Sequence, residues 1–317
     1  MNILVTGSKG VIGRKLVEEL IKKGHSVFGV DLAHHAGEIG YAQNMGTEKW
    51  TYSRCDISEY KQLTRVFDLA GPFDLVYNCA AEFGRWNGED YYEQLWKSNV
   101  IGFKNILRLQ EKLKFKLVHF SSSEVYGDYG NEMRESVMDN EGIKQMNDYA
   151  ISKWVNEIQI ANSIAVFNTE TVIVRLFNIY GEGEYYHPYR SVNCKFCYCA
   201  LHKLPIVIYR DYFRSSTYID DCIRTLVNIC SNFIPGRVYN IGSSTLHSIE
   251  TLANIIWEYV KADRELITLV DSEKLTTRIK KVNIERSIEE LNHKESVSLE
   301  EGVKRTIDWM KLYYKIK

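Results

Sequence analysis

The sequence of 317 residues has little proline, no long hydrophobic run and no excess of either charge. Only four prolines occur, so we expect a chain built mainly from helices and strands. Lys and Arg total 40 against 41 Asp and Glu, and the net charge of −1 gives no electrostatic basis for a dedicated nucleic-acid binder. No run of about 18 apolar residues occurs. We therefore expect neither a nucleic acid nor a membrane as a partner.

Cysteine is present, but its spacing is not that of a secreted protein. The seven cysteines do not form the dense, even-numbered framework of a small disulfide-bonded domain. The segment from Met1 to Thr6 has no basic stretch ahead of a long apolar run, so it does not resemble a secretory signal peptide. We expect a protein of the reducing cytoplasm.

Strand and helix patterns alternate from the N-terminus onwards. An apolar strand from Ile3 to Val5 precedes an amphipathic helix from Val11 to Lys23 and a β-branched strand from Ser26 to Val30. The alternation continues to an apolar strand at Thr171–Leu176, and it includes one long helix from about Asp90 to Lys112. This pattern predicts an α/β fold, a Rossmann-type doubly wound parallel sheet accompanied by a smaller α/β lobe.

A glycine-rich loop joins the first strand to the first helix. Gly7, Gly10 and Gly13 form a GxxGxxG pattern, which allows a tight turn, close approach of the backbone to a pyrophosphate and close helix packing. Asp31 ends the second strand, where a carboxylate accepts hydrogen bonds from an adenosine ribose and repels a 2′-phosphate. Asp56, after the third strand, is placed either to meet the adenine or to cap its own loop. The setting predicts NAD, in preference to NADP, as the cofactor.

The alternation loosens after Phe177, which indicates two interleaved units. The length is roughly two domain-equivalents of about 150 residues each. We expect residues 1–176, completed by about 217–243, to form the NAD-binding Rossmann domain. Residues 177–216 and 244–317 are expected to form the substrate-binding lobe.

A second group of residues indicates proton transfer. Tyr149 and Lys153 are four residues apart and share one face of a predicted helix. The reference pKa of tyrosine is about 10, so its use as a base near neutrality requires a depression of roughly three units, or about 4 kcal/mol. An adjacent ammonium and an oxidised nicotinamide can supply that stabilisation. The serines Ser121–Ser123 and the carboxylate of Glu124 lie upstream, at the end of a predicted strand.

With these motifs the chain resembles the extended short-chain dehydrogenase/reductase superfamily, in particular its NAD-dependent nucleotide-sugar epimerases and dehydratases. The resemblance runs from Met1 to about Met310. The matching motifs are the glycine loop, Asp31, Asn78-Cys79-Ala80-Ala81, Ser98-Asn99-Val100-Ile101-Gly102, the serine cluster, the Tyr149/Lys153 pair, Arg175-Leu176-Phe177-Asn178-Ile179-Tyr180-Gly181, Arg214 ahead of Tyr218-Ile219-Asp220-Asp221, and Ser298-Leu299-Glu300-Glu301-Gly302.

The resemblance implies chemistry on a nucleoside-diphosphate sugar. Tyr149 would take the proton of the C4 hydroxyl, Ser122 would bind O4, and Lys153 would bind the nicotinamide ribose. The expected catalytic residues are Ser122, Ser123, Glu124, Tyr149 and Lys153. The expected cofactor-binding residues are Gly7, Gly10, Val11, Ile12, Gly13, Asp31, Asp56, Ile57, Ala80, Ala81, Asn99, Tyr149 and Lys153. The expected substrate-binding residues are Glu82, Arg85, Asn178 and Arg214.

Two of the substrate residues match positions that hold a diphosphate in the family, namely Asn178 and Arg214. The fork-shaped donor of Arg214 suits a phosphate, although a surface ion pair is the alternative. Arg85 either shapes sugar specificity or lies in an exposed loop.

Three reactions proceed through the 4-keto sugar, and Glu124 distinguishes among them. A 4-epimerase returns hydride to the other face of C4, a 4,6-dehydratase removes the C5 proton and the C6 hydroxyl, and a decarboxylase releases the C6 carboxylate of a uronic acid. Glu124 suits the C5/C6 side of the sugar, which simple epimerases do not need. The pair Ser123-Glu124 looks like GDP-mannose dehydratases and UDP-glucuronate decarboxylases, whereas Ala80-Ala81-Glu82 is similar to dTDP-glucose dehydratases. We expect a 4,6-dehydratase, with epimerase and decarboxylase as alternatives.

Three further expectations concern partners and alternatives to catalysis. A non-enzymatic NAD-binding regulatory module would be expected to lack Ser122, Tyr149 or Lys153, so their presence favours an enzyme. The cysteines of Cys194–Cys199 lack a second ligand pair at tetrahedral spacing, and we expect no metal. By resemblance, the chain would form a homodimer through its long helices.

Overall fold

The computed structural model describes residues 1–33 and 50–316, and a seven-stranded parallel sheet lies at its centre. The strands are β1 (Asn2–Thr6), β2 (Ser26–Asp31), β3 (Trp50–Arg54), β4 (Leu75–Asn78), β5 (Lys116–Ser122), β6 (Glu132–Met133), β7 (Thr171–Leu176), β8 (Ile179–Tyr180), β9 (Ile206–Tyr209), β10 (Phe213–Ser215), β11 (Thr217–Tyr218), β12 (Val238–Ile241), β13 (Leu246–Ser248), β14 (Ile267–Val270) and β15 (Ile279–Val282).

The helices surround this sheet and the smaller sheets beside it. The α-helices are α1 (Val11–Lys22), α2 (Tyr60–Ala70), α3 (Arg85–Asp90), α4 (Tyr92–Trp96), α5 (Phe103–Leu113), α6 (Val137–Asn140), α7 (Asp148–Phe167), α8 (Val192–Leu201), α9 (Ile219–Asn228), α10 (Ile249–Val260), α11 (Glu285–Leu291) and α12 (Leu299–Tyr314). Short 3₁₀ helices cover Ser123–Tyr126 and Arg264–Leu266, and a π-helical turn covers Lys97–Gly102. None of the described helices is both long enough and apolar enough to cross a bilayer.

The large sheet has the order β12-β7-β5-β4-β1-β2-β3, and all neighbouring strands run parallel. Its inner strands are apolar because helices cover both faces. Leu16 of α1 and Leu226 of α9 belong to one core cluster, and Leu63 of α2 and Leu107 of α5 belong to a second. The prediction of a Rossmann-type doubly wound sheet is confirmed.

The strand order reverses between β1 and β4, and this reversal determines where a ligand can bind. In an open parallel sheet, the connections on the two sides of such a point leave in opposite directions and open a crevice at the carboxyl ends of the strands. The glycine loop after β1, Asp31 at the end of β2, Ala80 after β4 and Ser122 at the end of β5 all lie at this edge.

A second sheet has the order β13-β10-β15-β6. Strand β10 pairs with β13 in antiparallel fashion and with β15 in parallel, and the second pairing places Arg214 opposite Lys280. In the large sheet, β12 pairs with β7. The division into a cofactor domain and a substrate lobe stays a prediction.

The expected long helix from about Asp90 to Lys112 is present as an uninterrupted helical run from Tyr92 to Leu113. Its middle section, Lys97–Gly102, is a π-helical turn, and the short helix α3 precedes the run with a turn at Tyr91. The π turn brings Gly102 against Ile57, where a Cβ would lie 2.7 Å from the Ile57 side chain. Such turns insert one residue into a helix, frequently at functional sites.

Candidate active site

The carboxyl edge of the large sheet opens into a cavity of about 700 Å³. Every residue that the sequence predicted to bind cofactor or substrate, or to act in catalysis, lines this cavity except Asn99. Residues far apart in the chain meet here because several follow the carboxyl ends of neighbouring parallel strands, while Tyr149 and Lys153 come from α7 and Arg214 comes from β10.

The glycine loop leaves room for a ligand at one end of the cavity. Gly7 has a φ of +65°, and a Cβ there would lie 2.7 Å from the backbone nitrogen of Ala80. A Cβ on Gly13 would lie 2.1 Å from the Gly7 oxygen. Helix α1 starts after Gly10 with no side-chain cap and no acidic residue in its first turn. Its N–H groups and positive dipole end therefore fit a pyrophosphate.

Two carboxylates lie beyond the glycine loop. Asp31 accepts a hydrogen bond from the Lys9 backbone N–H at 2.9 Å, which orients its carboxylate at the cavity wall. Asp56 accepts from the backbone N–H and the hydroxyl of Ser58 at 2.9 and 2.6 Å. Asp56 thus caps its own loop while also lining the cavity, and its contact with the adenine stays a prediction.

Asn99 lies behind the cavity wall, in the π-helical turn. Its side-chain oxygen accepts from the Glu82 backbone N–H at 2.7 Å, and its amide nitrogen donates to the Glu82 carbonyl at 3.1 Å and to Ser152 at 3.2 Å. Asn99 therefore ties the segment after β4 to the helix that carries Tyr149 and does not face the cavity itself.

Helix α7 begins with a side-chain cap, since the side chain of Asn147 accepts a hydrogen bond from the Ala150 N–H. The helix presents Tyr149 and Lys153 to the cavity. The Lys153 ammonium donates to the Phe120 carbonyl at 2.8 Å and lies 5.8 Å from the centre of the Tyr149 ring. Burial lowers the pKa of Lys153 to about 8 and raises the pKa of Tyr149 to about 12. Both side chains are therefore protonated near neutrality.

A buried ion pair anchors this helix to the sheet. The Arg175 guanidinium of β7 binds both carboxylate oxygens of Glu157, at 2.7 and 3.1 Å, and the Ser121 hydroxyl donates to the same carboxylate at 2.5 Å. Glu157 lies one turn after Lys153. The pair connects α7 to two strands and so holds the face of the helix that carries Tyr149 and Lys153 against the serine cluster.

Glu124 lies at the other end of the cavity, between two cations. Its carboxylate forms an ion pair with the Lys280 ammonium, and the Arg85 Nε atom lies 3.9 Å from the same oxygen. Burial alone would raise the pKa of Glu124, but Lys280, Arg85 and Arg214 outweigh it and hold that pKa at about 2. Glu124 is an anion at neutral pH.

The remaining predicted substrate residues are held by local hydrogen bonds. Arg214 is buried and donates to the carbonyls of Phe213 and Arg278, both at 2.8 Å. The Asn178 amide donates to the Ser215 carbonyl at 3.2 Å. The Glu82 carboxylate accepts from the Asn87 and Gln94 side chains, both at 3.2 Å.

The NAD dependent epimerase/dehydratase family matches residues 3–242 of this sequence. The chain belongs to this family. The predicted resemblance is confirmed, and the protein is an NAD-dependent enzyme. The backbone N–H groups at the glycine loop and at the N-terminus of α1 have no side-chain cap, so they can donate hydrogen bonds to the pyrophosphate of this cofactor.

Relatives of this epimerase/dehydratase-family enzyme carry out several reactions. Protein CapI of Staphylococcus aureus is 26% identical, with 99% of this chain and 100% of CapI covered. UDP-N-acetyl-alpha-D-glucosaminuronate decarboxylase of Bacillus cytotoxicus is 29% identical, with 97% of each chain covered. Other relatives are dTDP-glucose 4,6-dehydratases.

A solved structure of this family superposes closely on the chain. It is a variant of the UDP-glucuronic acid 4-epimerase of Bacillus cereus, in complex with UDP-4-deoxy-4-fluoro-glucuronic acid and NAD. The TM-score is 0.87 at 25% identity, with 99% of this chain and 100% of that chain covered.

Sequence reasoning missed Lys280 and Glu273 of this enzyme. Glu273 lines the cavity and accepts from Arg85 at 3.0 Å. Strand β15 alternates exposed and buried residues, and Lys280 shares its buried face with Val282. A lysine is rarely buried without a partner, so the position of Lys280 on the buried face of β15 was the sequence signal that could have identified it.

The cysteine-rich segment of the enzyme is a helix. Cys194, Cys197 and Cys199 are buried and free in α8. Burial raises the pKa of each thiol. Within residues 1–33 and 50–316, no three His, Cys, Asp or Glu side chains are grouped so as to hold a metal ion.

Proposed function

We propose that the enzyme oxidises C4 of a nucleoside-diphosphate sugar and then reduces that same carbon, as a 4-epimerase or a decarboxylase does. The observation that carries this proposal is the ion pair of Glu124 with Lys280. It disfavours the dehydratase that the sequence led us to expect.

Three residues of the chain have separate roles in the proposed reaction at C4. NAD would supply the acceptor, and later the donor, of the C4 hydride. Tyr149 would take the C4 hydroxyl proton as a phenolate, the form that the Lys153 ammonium and the positive charge of an oxidised nicotinamide would stabilise once the cofactor is bound. Ser122 would bind O4, and Lys153 would also bind the nicotinamide ribose. Their shared position at the cavity wall supports these roles.

Dehydration would need a proton donor at C6, because hydroxide is a poor leaving group. Ser123 stands where many dehydratases carry an aspartic acid, and a serine hydroxyl is a weak acid. Glu124 is the other candidate, but two neighbouring cations hold it as a carboxylate with a pKa of about 2, which makes it a weak base toward the C5 proton and leaves it no proton of its own to donate at C6. Returning hydride to C4 requires no such donor.

The substrate's diphosphate lies, in this proposal, against Arg214 and Asn178, with Glu82 and Arg85 on the sugar side of the cavity. Arg214 is buried with two backbone partners, so its guanidinium is already oriented when an anion arrives. The family relatives act on UDP- and dTDP-linked sugars, which supports this substrate class.

We also propose a cytoplasmic homodimer. The seven cysteines are all free, which suits a reducing compartment. Ile101 and Ile158 are exposed on the π turn and on α7, two elements that pack against each other. A second copy would cover these side chains.

The position of the migrating hydrogen tests the reaction class. UDP- and dTDP-sugars labelled with deuterium at C4 are incubated with the enzyme, and the products are examined by mass spectrometry and NMR. We expect deuterium at C4 of an epimer or of a product lighter by carbon dioxide. Loss of water with deuterium at C6 would overturn the proposal. Tyr149→Phe should abolish turnover while NAD stays bound.

A further inference from the structure

Arg85 begins α3 and lines the cavity, and two carboxylates hold its guanidinium. Its Nη2 atom donates to Glu273 Oε1 at 3.0 Å, and its Nε atom lies 3.9 Å from Glu124 Oε1. Its Nη1 atom has no hydrogen-bond partner among the described residues. In that part of the chain, Glu273 is therefore the only residue to which the guanidinium donates a hydrogen bond, and its orientation depends on this carboxylate.

Glu273 lies in the segment between β14 and β15, far from Arg85 in the sequence, and Tyr212 fixes its backbone. The Tyr212 hydroxyl accepts from the Glu273 N–H at 2.8 Å and donates to the Glu273 carbonyl at 3.1 Å. The Glu273 side chain is 14% exposed and also lines the cavity. The carboxylate thus reaches Arg85 from a backbone that is itself held on both sides.

The segment between β14 and β15 contacts two other parts of the site. The Leu275 carbonyl accepts from the side chain of Asn147, the residue that caps α7, at 3.0 Å. The Thr276 hydroxyl accepts from the Arg214 guanidinium at 3.3 Å. One segment therefore contacts the N-termini of α3 and α7 and strand β10, all of which supply residues to the cavity wall.

Glu273 has Arg85 as its single cationic partner among the residues that the structure describes. Glu124, by contrast, is also paired with Lys280. Burial would lower the pKa of Arg85, but Glu124 and Glu273 outweigh burial and raise that pKa above its ordinary value. The pair of Glu273 and Arg85 is therefore a charged hydrogen-bonded unit with one member on each side of the cavity.

We propose that Glu273 is a positioning residue for sugar recognition, which orients the Arg85 guanidinium toward the sugar of a bound nucleoside-diphosphate sugar. The proposal rests on the function proposed above, which puts Arg85 on the sugar side of the cavity. A guanidinium that is held in place before the substrate arrives loses less conformational entropy on binding. This preorganisation raises the affinity for the sugar and leaves the affinity for the free nucleotide unchanged.

The test measures how much the sugar adds to binding. Dissociation constants of UDP-glucose and UDP, and of dTDP-glucose and dTDP, are measured by calorimetry on Tyr149→Phe protein carrying NAD, so that no turnover occurs. The sugar contribution is the Kd of the free nucleotide divided by the Kd of its glucose conjugate. We expect Glu273→Gln to lower this ratio by about three- to tenfold, the range for immobilising one long side chain, without changing the Kd of the nucleotide.

A double-mutant cycle separates positioning from a direct contact of Glu273 with the sugar. Arg85→Ala should lower the ratio at least as much as Glu273→Gln does, and adding Glu273→Gln to Arg85→Ala should lower it no further. Additive effects would overturn the proposal, because Glu273 would then act without Arg85. Equal weakening of nucleotide and conjugate by Glu273→Gln, or a ratio near one in the parent protein, would also overturn it.

Asp271→Asn is the matched control, since Asp271 is an exposed carboxylate of the same segment and pairs with Arg210. It should leave both dissociation constants unchanged, and a fall in the ratio equal to that of Glu273→Gln would contradict the proposal. Loss of water with deuterium at C6 would overturn the proposed reaction. The binding ratios do not depend on turnover and would still decide the role of Glu273.

Discussion

Tyr149 and Lys153 lie one turn apart on α7, yet burial moves their pKa values in opposite directions, to about 12 and about 8. Glu124 shows a third outcome, because the cations around it outweigh its burial. These three residues have similar depth but different charge partners. Their protonation states therefore depend on which side chains the fold places beside them, and residue type alone does not predict them.

Helix α1 shows at the element scale how a turn of glycines makes a cofactor site. Gly7 needs its positive φ, and Gly13 needs space beside the Gly7 carbonyl. The helix start has no capping side chain, so its N–H groups remain available. The local sequence alone encodes this part of the site.

Substitutions in this loop should reduce NAD retention in a graded order. A Cβ at Gly13 would lie 2.1 Å from a backbone oxygen, one at Gly10 would lie 3.2 Å from it, and one at Gly142 meets nothing within 4 Å. We expect Gly142→Ala to retain NAD like the wild type, Gly10→Ala to retain less, and Gly13→Ala to retain least. NAD released from purified, denatured protein is the measurement, with circular dichroism as the control for folding. Full occupancy in folded Gly13→Ala would refute this account.

The buried pair of Glu157 and Arg175 holds α7 against β5 and β7. Glu157→Gln would leave a buried guanidinium without its countercharge. We expect the free energy of unfolding in urea to fall by about 3–5 kcal/mol. The exposed pair of Arg305 and Glu301 is the comparison, and Glu301→Gln should hardly change the unfolding midpoint. Equal effects of the two variants would show that burial is not what makes the inner pair important.

At the scale of the whole molecule, the site exists because two sheets meet at one edge. The large sheet supplies the glycine loop and the serine cluster, and the sheet containing β10 and β15 supplies Arg214 and Lys280. Arg85 and Glu273 join the two sides through a 3.0 Å hydrogen bond.

The proposed dimer is a prediction at the same scale. Ile158 is 46% exposed on α7, and Ile101 is 53% exposed on the adjoining π turn. Ile158→Glu should convert the dimer to a monomer in sedimentation-velocity experiments, because it would bury a charge in the interface. Leu312→Glu is the control, since Leu312 is 81% exposed at the far end of the chain. A monomeric wild type, or an unaltered Ile158→Glu dimer, would exclude this interface.

The local part of this protein was predictable from its sequence. Strand and helix periodicity predicted the sheet, and the spacing of Gly7, Gly10 and Gly13 predicted the dinucleotide loop, because these patterns span only a few residues. The long helix expected from Asp90 to Lys112 is present from Tyr92 to Leu113, but its π-helical turn was not predicted, because the contacts of Asn99 with Glu82 and of Gly102 with Ile57 lie outside the periodicity of the helix.

The sequence by itself determined the family and the cofactor, and it supplied the residues that we propose for proton transfer at C4. The tertiary structure alone decided the state of Glu124, whose partner Lys280 lies 156 residues away. No local pattern encodes that distance, because it arises from the pairing of β10 with β15 beside the 3₁₀ helix of Glu124. The physical reason is electrostatic: a carboxylate is an acid or an anion according to the charges that surround it, and folding brings those charges together.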